Sequence, residues 1–273
     1  MNSSIDTVNV KNSTAIGIHV VSSYNTNIQD SFITGANDKY SGYGIQTYGT
    51  SFSTIKDNKV TDSRRGIDVS GTYPDYYSTV EFNTVLGGGK NELGLNYLTE
   101  DTQYGVGTHS TANYTVFRGN VLANLNYGIN IRSANVTIHQ NKFLGYFKGS
   151  SIILAFGRNA SIIDNETISG NNGQLFASKN NLPKNIKNFN AKTFLTVKRT
   201  YQLNNSLFQI KGNKALDVSG EFIKFLDVQG FKTSQVKSFQ VTDNEIRHTN
   251  LKNGTMFYFI NSDFPIKASL YLF

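Results

Sequence analysis

The heptapeptide VFRGNVL, residues 116–122, sets apolar side chains at both ends around a polar run that closes on Asn120. The same order returns in TIHQNKF at 137–143 and in QVTDNEI at 240–246. Aligned on the closing polar residue, the chain yields a column: Ser13, Ser31, Asn58, Asn83, Asn120, Asn141, Asn165, Asn213 and Asn244. Six of its eight gaps lie between 18 and 31 residues. A second column accompanies the first: GIHV at 17–20, GIQT at 44–47, GIDV at 66–69, GVGT at 105–108, GINI at 128–131, SIIL at 151–154, FIKF at 222–225 and MFYF at 256–259. Each is a short alternating run, the mark of a strand with one buried face. No segment has the length and period of a helix. The long gap 83–120 predicts an insertion over about 86–104, and the gap 165–213 predicts a degenerate coil over about 175–205, around NIKNFNAKTFLTV.

A unit of two or three short strands cannot bury its apolar face alone. Stacking successive units at about 4.8 Å buries a continuous interior. The Asn then falls at the corner between two strands, where a tight bend accepts it. Its amide can donate to the Asn of one neighbouring coil and accept from the other, which satisfies a polar group that is costly to bury. Ser13 and Ser31 are weaker versions of the same device. From Val8 to about Ile260 the chain resembles the right-handed parallel β-helix of the pectate-lyase-like superfamily. That resemblance implies an all-β fold: a right-handed, single-stranded parallel β-helix of roughly ten coils with an Asn ladder, about 50 Å long. A β-sandwich is the alternative.

Three pieces carry a narrower likeness: SRRGIDVSG, GVGTHSTANYTVFRGN and YGINIRS. They resemble the β-helix parts of phage tailspikes, tail-tip and appendage proteins, several of which degrade surface polysaccharide. The resemblance implies a virion or extracellular location, a homotrimer, other virion tail proteins as partners, and a host surface polysaccharide or teichoic-type polymer as ligand. Residues 1–273 are expected to form a single β-helix domain. No amphipathic capping helix is legible at either end, so a longer chain or partner subunits are expected to cover the open ends.

Composition narrows the classes further. The net charge is +7, from 26 Lys and Arg against 19 Asp and Glu, but the cations are scattered without a dense block. Such a surface attracts acidic glycans and wall polymers and argues against a dedicated nucleic-acid partner. Arg64 and Arg65 accordingly read as a solvated turn. There is no Cys, and the four His lack metal-ligand spacing, so neither a metal nor another cofactor is expected. No apolar run of about 18 residues exists to insert into a membrane, and the glycines of VLGGGKNE lack phosphate-loop spacing.

The candidate chemistry comes from stacking the second column. The residue after each Gly-Ile is expected to point outward, giving His19, Gln46, Asp68, Gly107 and Asn130. Two positions on stand Val21, Tyr48, Ser70, His109 and Arg132. Gly107 would leave a gap for a sugar between Asp68 and Asn130, and the insertion would bring Glu92, Glu100, Asp101, Tyr97 and Tyr104 alongside. A glycosidase needs two carboxylates about 5 to 9.5 Å apart, which Asp68 with Glu92, Glu100 or Asp101 would supply. A lyase needs a base and a cation, for which His109 and Arg132 qualify. Asp68, His109, Glu92 and Asp101 are therefore the catalytic candidates, and Tyr48, Asn130, Arg132 and Tyr97 the ligand-binding ones. The paired Asp and Gly-His-Gly of polygalacturonases and the calcium cluster of pectate lyases are absent. Glycan recognition leads, depolymerase activity is the alternative, and a β-helix without ligand is the third reading.

Overall fold

The computed structural model describes residues 2–38, 40–70, 75–87, 104–147, 149–155, 158–168, 193–198, 206–218, 221–228, 236–248, 257–260, 262 and 268–270. Among them every regular element is a strand, and every strand pairs in parallel with a strand of a neighbouring coil. The chain is a right-handed parallel β-helix. Sheet A runs from Ser3–Asp6 through Val116–Arg118 to Ala268–Leu270, sheet B from Asn9–Lys11 through Val121–Leu125 to Glu245–His248, and sheet C from Ile16–Val21 through Tyr104–Thr108 to Phe257–Ile260. Each coil therefore contributes three short strands.

Apolar side chains stacked in register from coil to coil build the interior. In sheet C, Ile18, Ile45, Ile67, Val106, Ile129, Ile152, Leu195 and Ile223 pair in register, and all are buried. Sheet A supplies Ile28, Ile55, Val80, Phe117, Ile138, Ile162 and Ile210 in the same way. Full burial of such a side chain stabilises by about 1.5–3 kcal/mol, so the column, repeated coil after coil, is the main favourable term.

The polar column lies at the corner between sheets A and B. The Nδ2 of Asn58 donates to Asn83 Oδ1, and the chain of amides continues through Asn120, Asn141, Asn165 and Asn213 to Asn244, each link 2.9–3.0 Å. Ser31 takes the N-terminal end, its backbone N–H donating to Asn58 Oδ1. Three details differ from the sequence reading. The position before Ser31 belongs to Val8, whose N–H donates to Ser31 Oγ; Ser13 sits past sheet B and bonds the Ile16 carbonyl instead. The residue that takes the left-handed bend is the one preceding each ladder Asn, with φ of 56° at Asp57, 63° at Gly119 and 56° at Gln140. The Asn is recruited for its hydrogen bonds, while its predecessor absorbs the turn. Finally, Asn165 bonds directly to Asn213, and Glu166–Ile168 pairs directly with Lys214–Val218, so no extra coil separates them. The surplus length falls between sheets B and C of a single coil, whose third strand is Thr193–Lys198; residues 169–192 lie outside the described residues. The surplus after Asn83 also falls between sheets B and C, with 88–103 outside the described residues.

Candidate functional site

Parallel pairing in sheet C aligns His19, Gln46, Asp68, Gly107 and Asn130 across five coils. Tyr48 pairs with Val21 and Ser70, the His109 N–H donates to the Val69 carbonyl, and the Arg132 N–H donates to Thr108 Oγ1. The candidates Asp68, His109, Asn130 and Arg132 thus share one face, with Tyr48 two coils from His109. Glu92, Tyr97, Glu100 and Asp101 lie outside the described residues.

Alternation sends Ile67 and Val69 into the core and Asp68 to the other side of the sheet, yet Asp68 is 0% exposed. The cover is aromatic. The Tyr104 hydroxyl donates to Asp68 Oδ1 at 2.6 Å, and Tyr104 itself is only 4% exposed. Its ring lies against Gly107: a Cβ there would come within 2.7 Å of Tyr104 Cε2. The space left by Gly107 is filled by this ring and is not open to a sugar. A glycine is what allows a tyrosine to lie this close to the strand and reach across to the neighbouring coil.

A cation completes the layer. Arg65 stands between two tyrosines of its own register row, its guanidinium carbon 4.8 Å from the Tyr43 ring centre and 5.5 Å from that of Tyr104. Its Nη1 also donates to the Tyr43 hydroxyl. Arg64 is 7% exposed and donates to the Tyr40 carbonyl. The Arg64–Arg65 pair is therefore a structural element and not a solvated turn. The signal for it was present in the sequence, in the residue preceding each Gly-Ile or Gly-Val after the first: Tyr43, Arg65, Tyr104, Tyr127.

Titration follows from this packing. Burial, then the nearby Asp68 charge, pushes the Tyr104 hydroxyl well above its usual range and raises Tyr43 as well. Burial lowers His109, Asp68 pulls it the other way, and Arg132 and Arg65 lower it further. His109 and Arg132 stand partly exposed at the edge of a sealed carboxylate. Two acceptors of this face, Asp68 Oδ2 and Asn130 Oδ1, have no hydrogen-bond partner among the described residues, although Asn130 is only 7% exposed. Asp75, the other buried carboxylate in electrostatic reach of Asp68, is held by Thr50 and Ser78 hydroxyls. Both carboxylates are inaccessible, so neither meets an external glycosidic bond in this conformation. Among the described residues no group of three His, Cys, Asp or Glu side chains is arranged to hold a metal ion.

Solved structures share this architecture. A mutant tailspike protein of E. coli bacteriophage HK620, in complex with a hexasaccharide, matches 93% of this chain and 53% of its own, at 9% identity and a TM-score of 0.54. The fold is tailspike-like. A double mutant of that tailspike, in complex with a pentasaccharide, matches 90% of this chain and 52% of its own, at 9% identity and a TM-score of 0.50. The A-module of a mannuronan C-5 epimerase from Azotobacter vinelandii matches 97% of this chain and 80% of its own, at 11% identity and a TM-score of 0.44. At such identities the likeness is one of fold alone. The chain spans about half the length of the tailspike it matches. No protein-family model and no curated protein matches it.

Proposed function

We propose that this protein is a glycan-recognition module of tailspike type, gripping a host surface polysaccharide or anionic wall polymer through the sheet C face around His109, Asn130 and Arg132. The observation that carries the reading is the asymmetry of that face. Its carboxylate, Asp68, is sealed beneath Tyr104, while Arg132 and His109 stand at the reachable edge. A guanidinium makes a planar two-point contact to a carboxylate or phosphate, and the net charge of +7 draws polyanions toward it. A virion-attached homotrimer with other tail proteins is the assembly in keeping with the fold. Cleavage of the same polymer is the second reading, with the partly exposed His109 as a base and Arg132 as the cation beside it.

The test is binding of purified host polysaccharide to the full protein. Arg132→Ala is expected to weaken binding about ten- to a hundredfold, since a charge-assisted contact contributes about 1.5–3 kcal/mol, and Lys211→Ala in sheet A to leave it unchanged. New reducing ends would identify a hydrolase, and absorbance from a new double bond a lyase. Parent-like binding by both Arg132→Ala and His109→Ala would refute the assignment to this face.

A further inference from the structure

A second feature lies on the opposite side of the turn into sheet A, independent of the sheet C face. Tyr24, Phe52, Tyr77 and Tyr114 occupy successive coils at the corner between sheets C and A, and each is 44–55% exposed. The rings of Phe52, Tyr77 and Tyr114 stack along the helix axis with centre separations of 5.2 and 4.8 Å, and Tyr24 packs against Phe52 at 5.1 Å with its ring tilted by 52°. Phe52, Tyr77 and Tyr114 do this in the left-handed backbone region, at φ of 57°, 59° and 58°. Bulky side chains avoid that region. The corners of the next two coils carry Asn135 and Asn159, at φ of 57° and 53°, which tolerate it and bond amide to amide at 2.8 Å. A strained row of exposed rings, where the same fold accepts asparagine one coil later, points to a use for the rings.

The stack ends over a groove. Each internal ring faces another ring on both sides, but beyond Tyr114 the next rung is missing. There the surface opens into a groove of about 410 Å³ lined by Tyr114, Asn135, Thr137, Asn159, Ser161 and Leu207. Thr137 and Ser161 are register partners on sheet A, and the same row continues through Gln209 to Gln240. The lining combines one aromatic face with hydroxyls, amides and the aliphatic side chains of Val136 and Leu207, and contains no charged side chain.

We propose that this groove binds a neutral glycan, with one pyranose ring seated on the open face of Tyr114 as the next rung of the stack. The negative π-face attracts the slightly positive C–H edge of a saccharide ring. The sugar hydroxyls then meet Asn135, Thr137 and Ser161, and further residues of the polymer run along the Gln209 and Gln240 row. Nucleotides are the other flat ligands, but the lining has no cation for a phosphate.

The experiment is saturation-transfer NMR on the full chain with maltohexaose, cellohexaose, chitohexaose and adenosine monophosphate. Transfer to the ring C–H protons of at least one neutral oligosaccharide is expected. Tyr114→Asn should weaken that binding about tenfold. The substitution places at this corner the residue that Asn135 and Asn159 already use, so the fold is retained. Tyr114→Phe should keep the binding, as should Tyr24→Ala at the far end of the stack and Arg132→Ala on the sheet C face. The proposal is overturned if none of the oligosaccharides receives transfer, if adenosine monophosphate alone does, or if Tyr114→Asn binds like the parent.

Discussion

Removing one amide from the middle of the ladder tests the load the ladder carries. The Asn120 side chain makes four bonds: its Nδ2 donates to the Val80 carbonyl at 2.9 Å and to Asn141 Oδ1 at 2.9 Å, and its Oδ1 accepts from the Asn83 N–H and Asn83 Nδ2 at 3.0 Å each. Asn120→Ala deletes all four, but not all leave an orphan. Asn83 Nδ2 keeps the Ile55 and Glu81 carbonyls, and Asn141 Oδ1 keeps the Asn120 N–H. The Asn83 N–H loses its acceptor at a site that is 0% exposed, while the Val80 carbonyl stays in the sheet A ladder through its pairing with Phe117. At about 1–3 kcal/mol for a buried orphan, the expected loss is about 1–3 kcal/mol. Asn244→Ala removes the same kind of acceptor from Asn213, but Asn244 is partly exposed and water can replace it, so its loss should fall below that of Asn120. Asn120→Ser should recover part of the stability, because Ser31 already accepts the Val8 N–H through its hydroxyl. Urea unfolding followed by circular dichroism reads all three. Equal losses at positions 120 and 244, or a loss below about 1 kcal/mol at 120, would refute the ladder as a carrier of stability.

Two further outcomes follow from buried groups. Burial raises Asp75 from its ordinary 3.8 to about 6, so the folded chain holds a proton that the unfolded chain has released; stability is fully present below about pH 4 and lost as pH rises through 6. The difference between Asp75→Asn and the parent, measured by urea unfolding, should therefore shift in favour of the variant by about 3 kcal/mol between pH 4 and pH 7, and a flat difference would count against the burial argument. Gly107→Ala drives a methyl to within 2.6 Å of the Asn130 carbonyl and 2.7 Å of the Tyr104 ring, so it should cost about 1–3 kcal/mol and make Tyr104 more accessible, read by unfolding and by tyrosine nitration.

The sequence by itself determined the period, and with it the fold. A solenoid contacts only its neighbours, so a motif that recurs every coil, such as Asn58, Asn83 and Asn120, reports a contact directly without knowledge of distant parts. The same logic set the sheet C register that aligns Asp68, Gly107 and Asn130. Tertiary structure alone decided what happens above the strand. Alternation tells which way Asp68 points but not whether a side chain three residues along on another coil lies over it, and Tyr104 does so only because Gly107 has no Cβ. Arg65 looked like solvated charge until two tyrosines of adjacent coils closed on it. The surplus length before Asn213 looked like another coil, because spacing counts residues and cannot tell a turn of the helix from a longer connection between two sheets. The row Phe52, Tyr77 and Tyr114 escaped the reading for a related cause: its corner follows turns of varying length, so only the folded coils bring those rings to one edge.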